Sequence, residues 1–137
     1  MTNDNIINFD RKQPTYNGLP VAFIHLTYGF IAMIDKEDEE AALELSESYH
    51  LNEIKKSEYA RGTDMWGKLF YLSRAIMNCS DPEMEVDYLD GNTMNLTKKN
   101  LHICTHKENA QIKIAREAFL LKGGKFERVC KNFLTNL

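Results

Sequence analysis

Apolar positions along the chain change their period several times, and each change marks a new element. Val21-Ala22-Phe23-Ile24-His25-Leu26-Thr27 and Phe30-Ile31-Ala32-Met33-Ile34 are two β-branched and aromatic runs flanking Tyr28-Gly29, the pattern of a β-hairpin. Before them, residues 1–18 are polar and punctuated by Pro14, Asn17 and Gly18, which predicts a loosely held arm. After them, Asp35 stands as an N-cap ahead of Lys36-Glu37-Asp38-Glu39-Glu40. Carboxylates in a first turn complement the helix dipole, so a helix is expected to about Ser46. The same acidic run reads as a solvated face or as an acidic binding surface. Tyr49 to Arg61 holds short extended segments, closed by a Gly62-Thr63-Asp64 turn. Leu72-Ser73-Arg74-Ala75-Ile76-Met77 has the spacing of a short helix, and Ser80-Asp81-Pro82 breaks the chain after it.

The last third is helical in pattern. Thr105 with Glu108 three residues later forms a capping box, predicting a helix that carries Asn109, Ile112 and Ala115. Gly123-Gly124 ends it. Phe126, Val129, Cys130, Phe133, Leu134 and Leu137 then recur at i, i+3, i+4, i+7, i+8 and i+11, a full amphipathic stripe. It suits core packing, or a dimer or partner-binding helix in which Phe126, Val129, Phe133 and Leu137 make the contacts. The expected fold class is α+β: an N-terminal hairpin and helix, a central ββα unit and a C-terminal helical pair. Its expected division is an arm over 1–18, a domain over 19–112 and an extension over 113–137.

The chain has 137 residues, a length that suits one compact domain with an appended helix. No apolar run approaches the roughly 20 residues needed to cross a bilayer, so no membrane partner is expected. Met1-Thr2-Asn3-Asp4-Asn5 lacks the basic and apolar regions of a signal peptide, and the expected location is the cytoplasm. Cys79, Cys104 and Cys130 are isolated, with no C-x-x-C pair, which predicts free buried thiols rather than a zinc ribbon. Twenty acidic residues outnumber 17 basic ones, for a net charge of −3. Phosphate contacts supply most of the affinity of DNA-binding proteins, so this balance counts against DNA and favours a protein target.

Chemistry concentrates in Val86-Asp87-Tyr88-Leu89-Asp90-Gly91-Asn92, Asn100-Leu101-His102 and Thr105-His106-Lys107-Glu108-Asn109. These resemble the core of HNH endonucleases of the phage and intron-homing type, where the pattern runs V-D-H-x-D-G-N, then N-L-R, then T-x-x-E-N. The resemblance extends from about Leu19 to Ile112. It takes in Asp35-Lys36-Glu37-Asp38, Tyr59-Ala60 and Leu72-Ser73-Arg74-Ala75-Ile76-Met77, the last matching the family's L-H-R-x-I-M. It implies a ββα unit holding one divalent metal, magnesium or manganese, that binds the scissile phosphate. It also implies that Asp87 and Asn109 are the metal ligands and that Asn100 orients a general base on the first strand.

Tyr88 stands where the family has that base. A phenol with an ordinary pKa near 10 is a poor base at neutral pH, and loss of a general base removes about 10²–10⁴-fold of rate. The family's L-H-R histidine is Ser73 here, its N-L-R arginine is His102, and its double asparagine is Met94-Asn95. His106 could share a helix face with Asn109 and ligate metal. His102, and more remotely His25 or His50, could substitute as base. Asp90-Gly91-Asn92 has the composition of a turn.

Three functions follow from the resemblance and its departures. The first is a non-catalytic protein that reuses an HNH scaffold against a protein or nucleoprotein target and requires no cofactor. A phage-encoded inhibitor of a host defence nuclease, of the anti-CRISPR type, is the analogy; such a chain would work in the host cytoplasm. The second is a DNA-binding protein without cleavage, with Lys98, Lys99, Lys107, Lys113 and Arg116 on phosphates. The third is a slow metal-dependent nicking enzyme.

Overall fold

The computed structural model describes residues 7–9 and 12–121, with side chains as far as Ala115. The stripe of Phe126, Val129, Phe133 and Leu137, with Cys130, lies outside the described residues, and so does the Arg116 side chain. The fold is α+β. Among the described residues, ten strands and three α-helices follow one another. The strands are β1 (Ile7–Asn8), β2 (Thr15–Tyr16), β3 (Leu19–His25), β4 (Ile31–Asp35), β5 (Tyr49–Ile54), β6 (Ser57–Thr63), β7 (Leu69–Tyr71), β8 (Met84–Tyr88), β9 (Asn95–Leu96) and β10 (Leu101–Thr105). The helices are α1 (Glu39–Leu45), α2 (Leu72–Ile76) and α3 (His106–Leu121). One sheet runs β1-β2-β3-β4-β9, a second runs β5-β6-β7, and β8 pairs with β10.

The expected hairpin is β3 and β4, antiparallel with Phe23 opposite Met33. Its connection takes left-handed angles at Tyr28 (φ 61°) and Gly29 (φ 76°), and glycine adopts them without a Cβ penalty. Alternation buries Ala22, Ile24, Ala32 and Ile34. Leu72 of α2, Leu96 of β9 and Tyr88 of β8 join them in one core. The β-branched and aromatic runs therefore did identify the strands on which the core is built.

Two expectations change. The segment expected as a loose arm contributes β1 and β2, with Tyr16 opposite Leu19 and Ile7 opposite Tyr16. Gln13 Nε2 donates to the Val21 carbonyl at 2.8 Å, and Phe9 stacks on Phe23 with ring centroids 5.6 Å apart. Polar side chains do not prevent pairing when an open strand edge offers backbone partners. The Asp35 side chain makes no cap bond; the chain passes through a 3₁₀ turn, Lys36–Asp38, before α1 starts. Its Oδ2 instead accepts the Lys98 backbone N–H at 3.0 Å, fastening the hairpin to the approach to β10.

The second sheet has two different faces. Tyr49, Leu51, Ala60, Gly62 and Phe70 face the core, with Tyr49 and Phe70 edge-to-face at 5.9 Å. A Cβ on Gly62 would lie 2.8 Å from both rings. Gly62→Ala is therefore expected to destabilise the protein by about 1–3 kcal/mol through overpacking. A urea unfolding curve coincident with that of the natural chain would refute that packing.

Candidate functional site

The unit of β8, β10 and α3 carries most of the residues singled out above. Leu101 lies opposite Tyr88, His102 opposite Asp87 and Cys104 opposite Glu85. Side chains alternate across a strand, so Glu85, Asp87, His102 and Cys104 share the face that α3 covers. Val86 and Tyr88 take the other face, towards the core. The capping box forms as expected: Thr105 N donates to Glu108 Oε2 at 3.0 Å and Glu108 N to Thr105 Oγ1 at 3.1 Å. This cap aims the first turn of α3, and with it His106 and Asn109, at the β8 strand.

Asp87 and Asn109 are both buried, 5% and 7% exposed. Asn109 Nδ2 donates a short hydrogen bond to Glu85 Oε2, and Glu85 Oε1 meets His106 Nδ1 at 2.6 Å. Burial pushes the Glu85 carboxyl up, but the bonds from His106 and Asn109 and the charge of Lys113 outweigh it and hold it below the ordinary carboxylate range. The His106 imidazole is raised, chiefly by Glu85, and is also bonded to the Pro82 carbonyl. His106 thus ties the start of α3 to both ends of the β8 approach. Burial, then the charges of Asp87, Glu85 and Glu108, push the Cys104 thiol up to about 12. Cys79 and Cys104 are free and buried.

Asn109 Oδ1 is a buried acceptor with no hydrogen-bond partner among the described residues. An amide oxygen and a carboxylate are hard oxygen donors of the kind a divalent cation takes. By the resemblance, Asp87 and Asn109 would hold such an ion, and it would supply positive charge to a phosphate oxygen. Among the described residues one group of three acidic side chains lies within metal-ligand range, Asp35, Glu37 and Asp38. Lys98 Nζ sits against Asp38 at 3.0 Å and Glu37 at 3.2 Å, which accounts for that cluster.

Tyr88 is 6% exposed. Its ring packs on Tyr59 with centroids 6.2 Å apart, and its hydroxyl is hydrogen-bonded to the Ser73 side chain. Burial pushes the phenol up to about 12, against the pull of the Ser73 bond, with Tyr59 and Asp87 adding to the rise. At neutral pH this group carries its proton and accepts none.

No family model, curated protein or solved structure matches this chain.

Asn100, the expected base-orienting residue, has its side chain committed to the loop between β8 and β9. Its Nδ2 donates to Asp90 Oδ1 at 2.9 Å and to the Asn95 carbonyl at 2.8 Å, while its Oδ1 accepts the Asp90 N–H at 2.9 Å. Asp90 also accepts from Asn92 N and Asn95 Nδ2, and Gly91 takes φ 78°. The turn expected of Asp90-Gly91-Asn92 is thus built and pinned by buried amides. Of the basic residues, Lys98 is spent on acidic neighbours, whereas Lys99, Lys107 and Lys113 are exposed. His25 lies at the end of β3 and His50 on β5, elements other than the β8–β10–α3 unit; His102 lies opposite Asp87. Sequence reasoning missed Glu85, although its position two residues before Asp87 on a strand places it on the same face.

Proposed function

We propose that this protein is a non-catalytic binding protein on an HNH-type scaffold, acting in the cytoplasm on a protein or nucleoprotein target. An inhibitor of a defence nuclease, of the anti-CRISPR type, is the kind of activity this reading has in view, in the host cytoplasm for a phage-encoded chain. The observation that carries the reading is the pairing of Tyr88 with Ser73. Both positions where the family has histidines hold hydroxyl groups bonded to each other inside the core, so the position of the general base holds a structural contact instead.

A protein target is further supported by the turn between β6 and β7. Asp64 Oδ1 accepts the N–H groups of Trp66 and Lys68 at 3.0 and 2.9 Å, and Gly67 takes φ 78°. This pinned turn displays Met65 and Trp66 at 81% and 83% exposure. Exposed tryptophan on a rigid support is the usual form of an interface anchor. The lysines offered for DNA give less, since Lys98 is neutralised within the chain. The reading needs no cofactor; a magnesium or manganese ion at Asp87 and Asn109 belongs to the alternatives of DNA binding or slow nicking. Homodimerisation through residues 126–137 is an expectation for residues outside those described.

One observation favours the nicking alternative: the register sets His102 opposite Asp87, where directly opposed side chains lie about 5 Å apart. Plasmid incubation with magnesium or manganese separates the readings. The natural chain is expected to leave supercoiled DNA intact. Cleavage lost in both Asp87→Ala and His102→Ala would replace the non-catalytic reading with an enzyme using His102. In parallel, inhibition of a purified RNA-guided nuclease should weaken roughly 30-fold or more on Trp66→Ala if that side chain is an anchor.

A further inference from the structure

One face of the β5-β6-β7 sheet carries Arg61, a cation that forms no ion pair among the described residues. His50 lies opposite Arg61, and Arg61 lies opposite Tyr71, so the three side chains form one row across the strands. The same face carries Asn52, Tyr59 and Thr63. The carboxylates of Glu53 and Glu58, which are opposite each other, fall on the other parity and therefore on the other face.

Arg61 is half-buried, and its Nε–H is buried without a hydrogen-bond partner. Its guanidinium forms no ion pair among the described residues. Arg74 behaves differently, donating to the Met84 and Asp81 carbonyls at 2.7 Å each. A buried, unsatisfied donor is costly, more so on a charged group, so a guanidinium kept in this state points to a ligand. Hydroxyl donors flank it. Asn52 Nδ2 donates to Tyr71 Oη at 3.0 Å across the middle strand, which leaves the Tyr71 proton to be given elsewhere. Tyr59 stands edge-to-face on Tyr71 at 6.3 Å, holding both rings in place.

We propose that this face is an oxyanion site centred on Arg61 that takes a phosphoryl group. A guanidinium fork with tyrosine, threonine and histidine donors around it offers more hydrogen bonds than the two oxygens of a carboxylate can accept, and phosphate accepts them. The acidic net charge does not oppose this, because among the described residues the strands present no acidic side chain on this face. The inference stands apart from the binding-protein reading, since it concerns a different surface and a different ligand.

The test is a side-chain NMR titration of the full chain, following the Arg61 Nε–H while inorganic phosphate, thymidine 5′-monophosphate, a short thymidine oligonucleotide and acetate are added separately. Saturable shifts with phosphate and the monophosphate, but not acetate, are expected. Arg61→Gln should weaken binding roughly tenfold or more, the size of one lost charge-assisted hydrogen bond. Tyr71→Phe, which keeps the ring, should weaken it less while leaving the melting temperature near that of the natural chain. Binding of the oligonucleotide alone, lost in Arg61→Gln, would support the site and identify its source as a phosphodiester strand. An unmoved Nε–H in every titration, or equal response to acetate, would overturn the proposal. Retained binding in a folded Arg61→Gln chain would also overturn it.

Discussion

Above about pH 10 the protein is expected to lose most of its stability, and three buried acids account for it. Burial holds the phenols of Tyr49 and Tyr88 at about 12 against an ordinary value of 10.0, and the Cys104 thiol at about 12 against 9.0. The neutral form is favoured in the folded state. As pH rises through 9 and 10 the unfolded chain releases these protons first and binds fewer than the folded chain. Stability therefore falls with rising pH. It is fully present below about pH 9 and lost progressively up to about pH 12. A shift of one pKa unit corresponds to about 1.4 kcal/mol, so each tyrosine contributes roughly 3 and the thiol roughly 4 kcal/mol at the top of the window. Small domains have about 5–15 kcal/mol in total. Urea unfolding at intervals from pH 8 to pH 11.5, with tyrosinate absorbance followed in parallel, measures the effect. Tyr88→Phe should flatten part of the fall. Constant stability to pH 11 would show that these groups are not buried as described.

Asn100→Ala is expected to cost roughly 3–5 kcal/mol, because one truncation removes three hydrogen bonds and strands their partners. The Asn95 carbonyl, the Asp90 N–H and Asp90 Oδ1 all depend on that amide, and Asn95 is 3% exposed. Asn100→Asp should be nearly as harmful at neutral pH, since it turns a donor to Asp90 into a second carboxylate. Part of that loss should return as the pair is protonated in acid. Thermal unfolding at pH 7 and pH 4 would read both effects. An Asn100→Asp chain as stable as the natural one at pH 7 would mean that the amide serves something other than the loop. This residue bears on function too, for the loop it fixes follows directly on the strand of Asp87.

Where alternation or spacing was local, the pattern was legible. The β3–β4 hairpin, the short α2 helix and the capping box at Thr105 and Glu108 each depend on residues within a few positions of one another. Asp35 shows the limit. Its composition reads as a helix cap, yet a backbone N–H 63 residues away claims the carboxylate. The N-terminal arm shows another: β1 and β2 are held by an edge whose availability depends on how β3 and β4 are placed. At the candidate site Asp87 and Asn109 were legible as residues. That Glu85, 24 residues from Asn109, would fix the amide and leave its oxygen unpartnered was not.

The amino-acid sequence by itself determined the α+β class, the β3–β4 hairpin, the start of α3 at its capping box, the acidic balance and the presence of a phenol where the resembling family has a base. Those properties follow from period, capping chemistry and composition, which act over short separations. Only the tertiary structure decided that Tyr88 turns into the core against Tyr59 and Ser73, and that His106 is tied to Glu85. It also decided that Arg61 forms no ion pair among the described residues and lies on the sheet face opposite to that of Glu53 and Glu58. Each of these depends on which side chain from a distant strand or helix comes to share a face, and packing of the whole chain settles that question.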